Sequence, residues 1–178
     1  QANWIDEQME EGGKQKRGLR NSVSAMHGHV FFAGDFNYRV NGTRAAIDHL
    51  VSRGLYEALR PGDQLSQQKN LGLIFPSYKE GPLSFRPTYK FDPGTENYDT
   101  SKKMRIPAWT DRILWRWNRA GSTSPSVLQE YDSVESITAS DHRPVRAIFT
   151  VPLSFPSDMR RELLSARQQK AVEMGNIE

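Results

Sequence analysis

The stretch FFAGDFNYR, residues 31–39, sets an aspartate and an asparagine two positions apart directly after an apolar run, Val30 to Ala33. The run is too short for a helix and ends at Gly34, so it reads as a central strand covered on both faces. Side chains two apart on a strand face the same way, which predicts that Asp35 and Asn37 project together from its carboxyl end while Phe36 packs behind them. A carboxylate in that place can orient or deprotonate a water, and the neighbouring amide can donate to a phosphoryl oxygen as charge builds there. A plain turn accounts for the same residues, because Gly, Asp and Asn are common turn formers.

Outward from this strand the chain alternates helical and extended patterns. TRAAIDHLVSRGLYEAL (43–59) carries Ala46, Ile47, Leu50, Val51 and Leu55 near helical spacing, with Thr43 as N-cap and Gly54 as a break. In GDQLSQQKN (62–70), Asp63 is placed to cap a helix. GPLSFRPTYKF (81–91) and DRILWRW (111–117) read as strands, the first broken by Pro87, and SVLQEYDSV (126–134) and PVRAIFTV (144–151) alternate like half-buried ones. The predicted organisation is a polar lead-in over 1–26, an α+β body over 27–153 and a charged tail or linker over 154–178. Gly12 and Gly13 interrupt the lead-in. The tail reads as a helix with a sparse stripe of Met159, Leu163, Leu164 and Ala171.

With 178 residues and 37% hydrophobic content, the chain suits one globular domain or a large part of a bigger one. Lys and Arg number 24 against 21 Asp and Glu, a net of +3, so bulk charge does not demand nucleic acid or an anionic surface, and any anion binding is local. The absence of cysteine excludes disulfides and thiolate metal sites and fits a reducing compartment. No stretch approaches the roughly 20 apolar residues of a membrane span. No signal peptide is visible, although the sequence opens on Gln1 rather than methionine.

Two further stretches carry chemistry. In RIPAWTDRILW (105–115), Asp111 stands at the head of an apolar strand, as a cap for exposed amides or as a partner for another side chain. In ASDHRPV (139–145), Asp141 and His142 are adjacent before Pro144, so their side chains point apart: a carboxylate toward a divalent cation, an imidazole toward substrate. A capped turn is the competing account of that loop. His27 and His29 have the spacing of a metal pair but no supporting cluster, and read as surface residues. Trp4, Trp109, Trp115 and Trp117 read as packing rather than as a base-stacking platform.

Together the three stretches resemble the inositol polyphosphate 5-phosphatases, whose two signatures stand here as FFAGDFNYR and RIPAWTDRIL. The resemblance runs from about His29 to Val151 and includes PTYKFDPGTENYDTSKKMRIPAWTDRILW, residues 87–115. One departure is Phe32, where the family usually carries tryptophan, a buried aromatic exchange that bears on packing rather than chemistry.

The resemblance implies the four-layered sandwich shared with deoxyribonuclease I and the abasic-site endonucleases. It implies that Asp35 orients or activates the attacking water and that Asn37 and His142 hold the scissile phosphate. Asp111 is implied to fix the tautomer of His142 and favour its protonated form, and Asp141 to lie beside a catalytic magnesium. Tyr89, Lys90, Lys103 and Arg105 match the positions that grip the phosphate at the inositol 4-position; otherwise Lys102, Lys103 and Arg105 are a solvated basic face. Arg39 belongs to the first signature, as a structural ion pair or a substrate contact.

The implied activity is magnesium-dependent removal of the 5-phosphate from phosphoinositide lipids, such as phosphatidylinositol 4,5-bisphosphate, or from soluble inositol polyphosphates. It takes place in the cytoplasm, peripherally at membrane surfaces, with no nucleic-acid partner. The family also draws an asparagine, a magnesium-binding glutamate and a histidine from an upstream half. Asn3, Glu7, Glu10 and Glu11 match none of its motifs, so residues 27–153 are expected to be the carboxyl-terminal part of a catalytic domain that needs the other half to turn over. A nuclease or phosphodiesterase of the same fold, and a non-catalytic phosphoinositide-binding fragment, are the alternatives.

Overall fold

The computed structural model describes residues 27–119, 124–153 and 165. The predicted lead-in, with Trp4, and the tail helix, apart from Ser165, lie outside the described residues. Strand β1 spans His29–Asp35, followed by helix α1 at Arg44–Ser52, a 3-10 helix at Tyr56–Gly62 and helix α2 at Gln64–Asn70. Strands β2 (Lys79–Glu80), β3 (Asp111–Trp117), β4 (Val127–Ser133) and β5 (Val145–Thr150) complete the order. Among the described residues no helix is long and apolar enough to cross a membrane.

The predicted caps are in place. Thr43 Oγ1 accepts from the Ala46 amide at the start of α1, and Asp63 accepts from the Ser66 amide at the start of α2, each satisfying a donor that the first turn leaves free. Gly54 adopts φ +68 just past α1, a left-handed turn that glycine makes without a Cβ clash. Leu55 falls outside the helix and is exposed, so it does not extend the apolar face as its spacing suggested.

Two antiparallel sheets form, ordered β1-β3-β2 and β4-β5. Their faces meet through aromatic side chains: Phe149 of β5 lies 4.7 Å from Phe31 and 5.0 Å from Trp115, a cross-strand pair of β1 and β3. Trp109, Ala108, Leu83, Phe85 and Tyr131 form the core with Ile47 and Leu59 from the helical side. Trp109 is fully buried and its indole N–H donates to the Phe85 carbonyl at 3.0 Å, which satisfies its one polar atom.

Two strand predictions need correction. Among the described residues β1 is an end strand paired with β3 alone, and Phe31 is 42% exposed, so the apolar run is not covered on both faces by these residues. An apolar run signals which faces are dry but not what covers them. Residues 81–91 form no regular strand. Pro82 and Pro87 lack the N–H a ladder needs, and the segment instead threads between two loops. Tyr89 exchanges bonds with Ala108, the Arg143 amide donates to Thr88 O at 2.8 Å, and the Phe91 amide donates to Asp141 O at 2.9 Å.

One buried charge cluster ties these pieces together. Arg112 of β3 has no exposed side-chain surface and donates to both oxygens of Asp63, at 2.9 and 3.0 Å, and to both of Glu80, at 2.6 and 3.0 Å. Lys69 Nζ stands 3.5 Å from Glu80, and the Tyr131 hydroxyl donates to the same carboxylate at 3.3 Å. Burial works against the guanidinium charge, but Glu80 and Asp63 outweigh it and raise its proton affinity. Removing Arg112 leaves two carboxylates buried with too little positive charge. Arg112→Met should therefore lose about 3–5 kcal/mol in denaturant unfolding, whereas a loss below 1 kcal/mol would mean that water reaches the cluster. Behind β2, a Cβ on Gly81 would stand 2.5 Å from Tyr131 Cδ1 and 2.8 Å from Leu128 Cδ2. Gly81→Ala should cost about 1–3 kcal/mol by the same measurement, and an unchanged midpoint would show that β4 can retreat.

Candidate active site

Antiparallel pairing of β1 with β3 places the carboxyl end of one signature against the amino end of the other, with Asp35 directly opposite Asp111. The chain then leaves β1 in a turn. The Phe36 amide donates to Thr110 O at 2.8 Å, and Asn37 sits at φ +57 with its amide donating to Asp35 Oδ1 at 2.8 Å. Asp35 and Asn37 are thus brought together by a side-chain-closed turn rather than by strand alternation, a conformation asparagine tolerates better than most residues. The turn reading of GDFN holds, and the same turn builds the polar pair. Phe36 packs behind with Phe32 at 5.2 Å and Phe75 at 5.3 Å, and Phe32 meets Phe75 at 5.5 Å.

Arg39 forms no ion pair among the described residues. Its guanidinium donates to Asn37 Oδ1 and lies 4.4 Å above the centroid of Tyr89. Because arginine can only donate, the asparagine oxygen must face it, and the amide N–H groups are turned elsewhere. Tyr89 in turn lies 4.7 Å from the His142 ring. A contiguous line of side chains runs from Asn37 through Arg39 and Tyr89 to His142.

Asp111 is a partner rather than a cap: its Oδ2 lies 2.8 Å from His142 Nδ1. The same oxygen accepts from Thr110 Oγ1 at 2.9 Å and Thr88 Oγ1 at 3.4 Å, two hydroxyls that sequence reasoning missed. A carboxylate offers no proton, so Nδ1 carries one and Nε2 is the nitrogen left for another group. The bond from Asp111 raises the imidazole's proton affinity; burial opposes it, and the negative charges of Asp111, Asp141 and Asp35 reinforce it. Arg143, also missed, is buried with its guanidinium 3.9 Å from the Phe91 centroid, and it donates to Ser140 O at 3.3 Å and to Thr95 O. It underpins the loop that carries Asp141 and His142. No feature of ASDHRPV distinguishes this arginine from a surface cation.

Asp141 and His142 diverge as predicted. Asp141 Oδ2 stands 3.9 Å from Lys90 Nζ, and Ser140 Oγ donates to Oδ1 at 3.3 Å. Lys103 and Arg105 are exposed on a loop whose base meets Lys90, through the Asp99 amide donating to Lys90 O at 2.8 Å. His29 Nδ1 lies 2.6 Å from Ser126 Oγ, and His27 is exposed; the two do not form a metal pair. Among the described residues no three of His, Cys, Asp and Glu converge as metal ligands, and Asp141 faces an ammonium. These residues do not by themselves fit a divalent cation.

The site therefore offers an oriented carboxylate, an amide, an imidazole of raised proton affinity and ammonium and guanidinium groups, a set suited to phosphoryl oxygens. Comparison with known proteins bears on the same residues. The pattern of endonuclease/exonuclease/phosphatase family 2 matches residues 2–148. A synaptojanin of Caenorhabditis elegans is 49% identical over 125 residues, 70% of this chain and 11% of that protein. A phosphatidylinositol 4,5-bisphosphate 5-phosphatase of Saccharomyces cerevisiae is 43% identical over 143 residues, 79% of this chain and 14% of that protein. The chain thus spans a small part of the length of these relatives. Among solved structures, the inositol polyphosphate 5-phosphatase domain of a synaptojanin, bound to inositol (1,4)-bisphosphate and calcium, matches with TM-score 0.65 and 36% identity. That match covers 89% of this chain and 46% of that domain. A Cimex nitrophorin in its ferrous NO complex matches with TM-score 0.62 and 34% identity over 70% of this chain and 42% of its own. Signatures, site geometry and relatives agree that the chain belongs to endonuclease/exonuclease/phosphatase family 2 and stands there with the inositol polyphosphate 5-phosphatases.

Proposed function

We propose that this chain contributes to a phosphomonoester hydrolase that removes the 5-phosphate from phosphoinositides or inositol polyphosphates such as phosphatidylinositol 4,5-bisphosphate. The observation that carries the reading is the Asp111–His142 pair, joined through Tyr89 and Arg39 to the Asp35–Asn37 turn. The nitrophorin neighbour cautions that fold and a third of the sequence do not specify this chemistry.

In this reading the protonated His142 donates from Nε2 to a phosphoryl oxygen, while Asp111 keeps the other nitrogen protonated. Asn37, its oxygen held by Arg39, donates from its amide nitrogen to the same phosphate. Asp35 has one oxygen taken by the Asn37 amide and uses the other to orient the attacking water. Tyr89, Lys90, Lys103 and Arg105 receive a second phosphate. Magnesium belongs to the proposal as a requirement of the whole protein. Asp141 would supply at most one oxygen ligand and the rest of the protein the others, a reading compatible with the lack of a three-ligand cluster among the described residues. The chain by itself is accordingly proposed to turn over little, working peripherally at a cytoplasmic membrane face once joined to the rest of its catalytic domain.

The test is phosphate release from phosphatidylinositol 4,5-bisphosphate by the full-length protein that contains this chain and by the chain alone, both with magnesium. The full-length protein should be active, Asp35→Ala or His142→Ala should lower kcat about 10²- to 10⁴-fold, and the isolated chain should release almost none. Robust release by the isolated chain sinks the incompleteness, and a folded full-length protein that binds the lipid without hydrolysing it makes the chain part of a binding module.

The pH dependence follows from the raised proton affinity of His142. Its bond to Asp111 contributes stability that is fully present below the ordinary imidazole value of 6.5 and is lost as pH rises through the higher folded value. The alkaline limb of kcat should therefore lie above that of an unperturbed histidine. Asp111→Asn should shift it toward acid, together with the NMR titration of the His142 ring, and a limb indifferent to this substitution would detach the pair from the chemistry.

A further inference from the structure

The loop from Asp99 to Arg105 carries three cations, Lys102, Lys103 and Arg105, which repel one another and gain nothing from burial, since all three are exposed. It is nevertheless tightly built at its base. Asp99 is buried and accepts from the Ser101 amide at 3.0 Å and the Arg105 amide at 2.8 Å. Hydrogen bonds from the Ser101 side chain and the Arg105 amide hold its carboxyl down to about 2, against the effect of burial. Within the loop the Met104 amide donates to Ser101 O at 3.0 Å and the Lys103 amide to Ser101 Oγ at 3.3 Å.

A second fastening comes from 55 and 61 residues away in sequence. Arg44 Nη1 donates to Asp99 O at 2.9 Å and to Arg105 O at 3.0 Å, so that one guanidinium bonds the carbonyls at both ends of the loop. Its Nε faces the two oxygens of Asp48 at 2.8 and 2.7 Å, which orients the group and balances its charge. Helix energetics does not call for an arginine here. Arg44 is the first residue of α1, no acidic residue lies in that turn, and the positive end of the helix dipole disfavours a cation at this position. The pairing order, Arg before Asp at i and i+4, is also the less favourable one. What Arg44 stabilises is the neck of the basic loop.

We propose that Arg44 is a positioning residue of the substrate site. By bridging the ends of loop 99–105 it holds Lys103 and Arg105 in the geometry that receives a second ring phosphate, without touching substrate itself. The inference rests on the reading that Lys103 and Arg105 bind that phosphate. Lysine is only a partial substitute, because its donors radiate from one nitrogen, whereas arginine reaches Asp48 from Nε and both carbonyls from Nη1.

The test is a ratio of affinities, which a general loss of stability does not move selectively. Dissociation constants for short-chain phosphatidylinositol 4,5-bisphosphate and phosphatidylinositol 5-phosphate are measured by calorimetry on the full-length protein carrying Asp35→Ala, so that turnover does not intervene. Arg44→Met should weaken the bisphosphate about tenfold and leave the monophosphate within about twofold, as expected when charge-assisted bonds to one phosphate are misaligned. Arg44→Lys should recover only part of the loss. Lys103→Ala should weaken the bisphosphate in the parent background and add less in the Arg44→Met background, the mark of two residues acting on one contact. If Arg44→Met does not fold, Arg44→Gln, able to reach one carbonyl at most, serves in its place. An unchanged ratio, or an equal loss on both lipids, overturns the positioning role when Lys103→Ala does shift the ratio. A ratio insensitive to Lys103→Ala and Arg105→Ala overturns the substrate reading of the cluster instead, and failure of both lipids to bind removes the two together.

Discussion

The described structure depends on the buried guanidinium of Arg112. Asp63, which caps α2, Glu80 of β2 and Arg112 of β3 are remote in sequence and meet in the interior, where Arg112 and Asp63 have no exposed side-chain surface and Glu80 keeps little. With Lys69 the cluster holds two cations and two carboxylates, so its formal charge balances. Burial lowers the proton affinity of Lys69, and Glu80 partly restores it. Taking such charges out of water costs several kcal/mol per ion, and only well-aligned, fully shared hydrogen bonds offset it. The cluster therefore tolerates one arrangement of α2, β2 and β3 and disfavours the rest, since any slip leaves a charge buried without its partner.

That arrangement determines where the chemistry stands. Successive side chains of β3 face opposite ways, so when Arg112 is locked into the core Asp111 must turn toward the surface where His142 waits. The register with β1 then sets Asp35 opposite Asp111, and Phe36, bonded to Thr110 O, starts the turn that carries Asn37. Proline-rich residues 81–91 complete the site because they do not form a regular strand. Threading between the loops at Ala108 and Asp141, they bring Thr88, Tyr89 and Lys90 into reach of Asp111, His142 and Asp141.

Much of the site is held by three further arginines. Arg39 orients the Asn37 amide and stacks on Tyr89, Arg143 lies against Phe91 beneath the histidine loop, and Arg44 closes the basic loop. Each uses the planar, multiply donating guanidinium to bond backbone carbonyls or aromatic faces that a lysine would satisfy only in part.

The sequence by itself determined what depends on near neighbours and on periodicity. Strands β4 and β5 were legible from alternation and β3 from its apolar run, the starts of α1 and α2 from Thr43 and Asp63, and the family from three short stretches that together resemble it. Tertiary structure decided what depends on partners far along the chain. It chose between cap and partner for Asp111, set Arg39 against the Asn37 oxygen and the Tyr89 ring, turned residues 81–91 from a strand into a connector, and showed Asp35 and Asn37 joined by a turn. Propensity and pattern report the preferences of a few consecutive residues, whereas a long polar side chain goes wherever the fold leaves an unsatisfied oxygen within its reach.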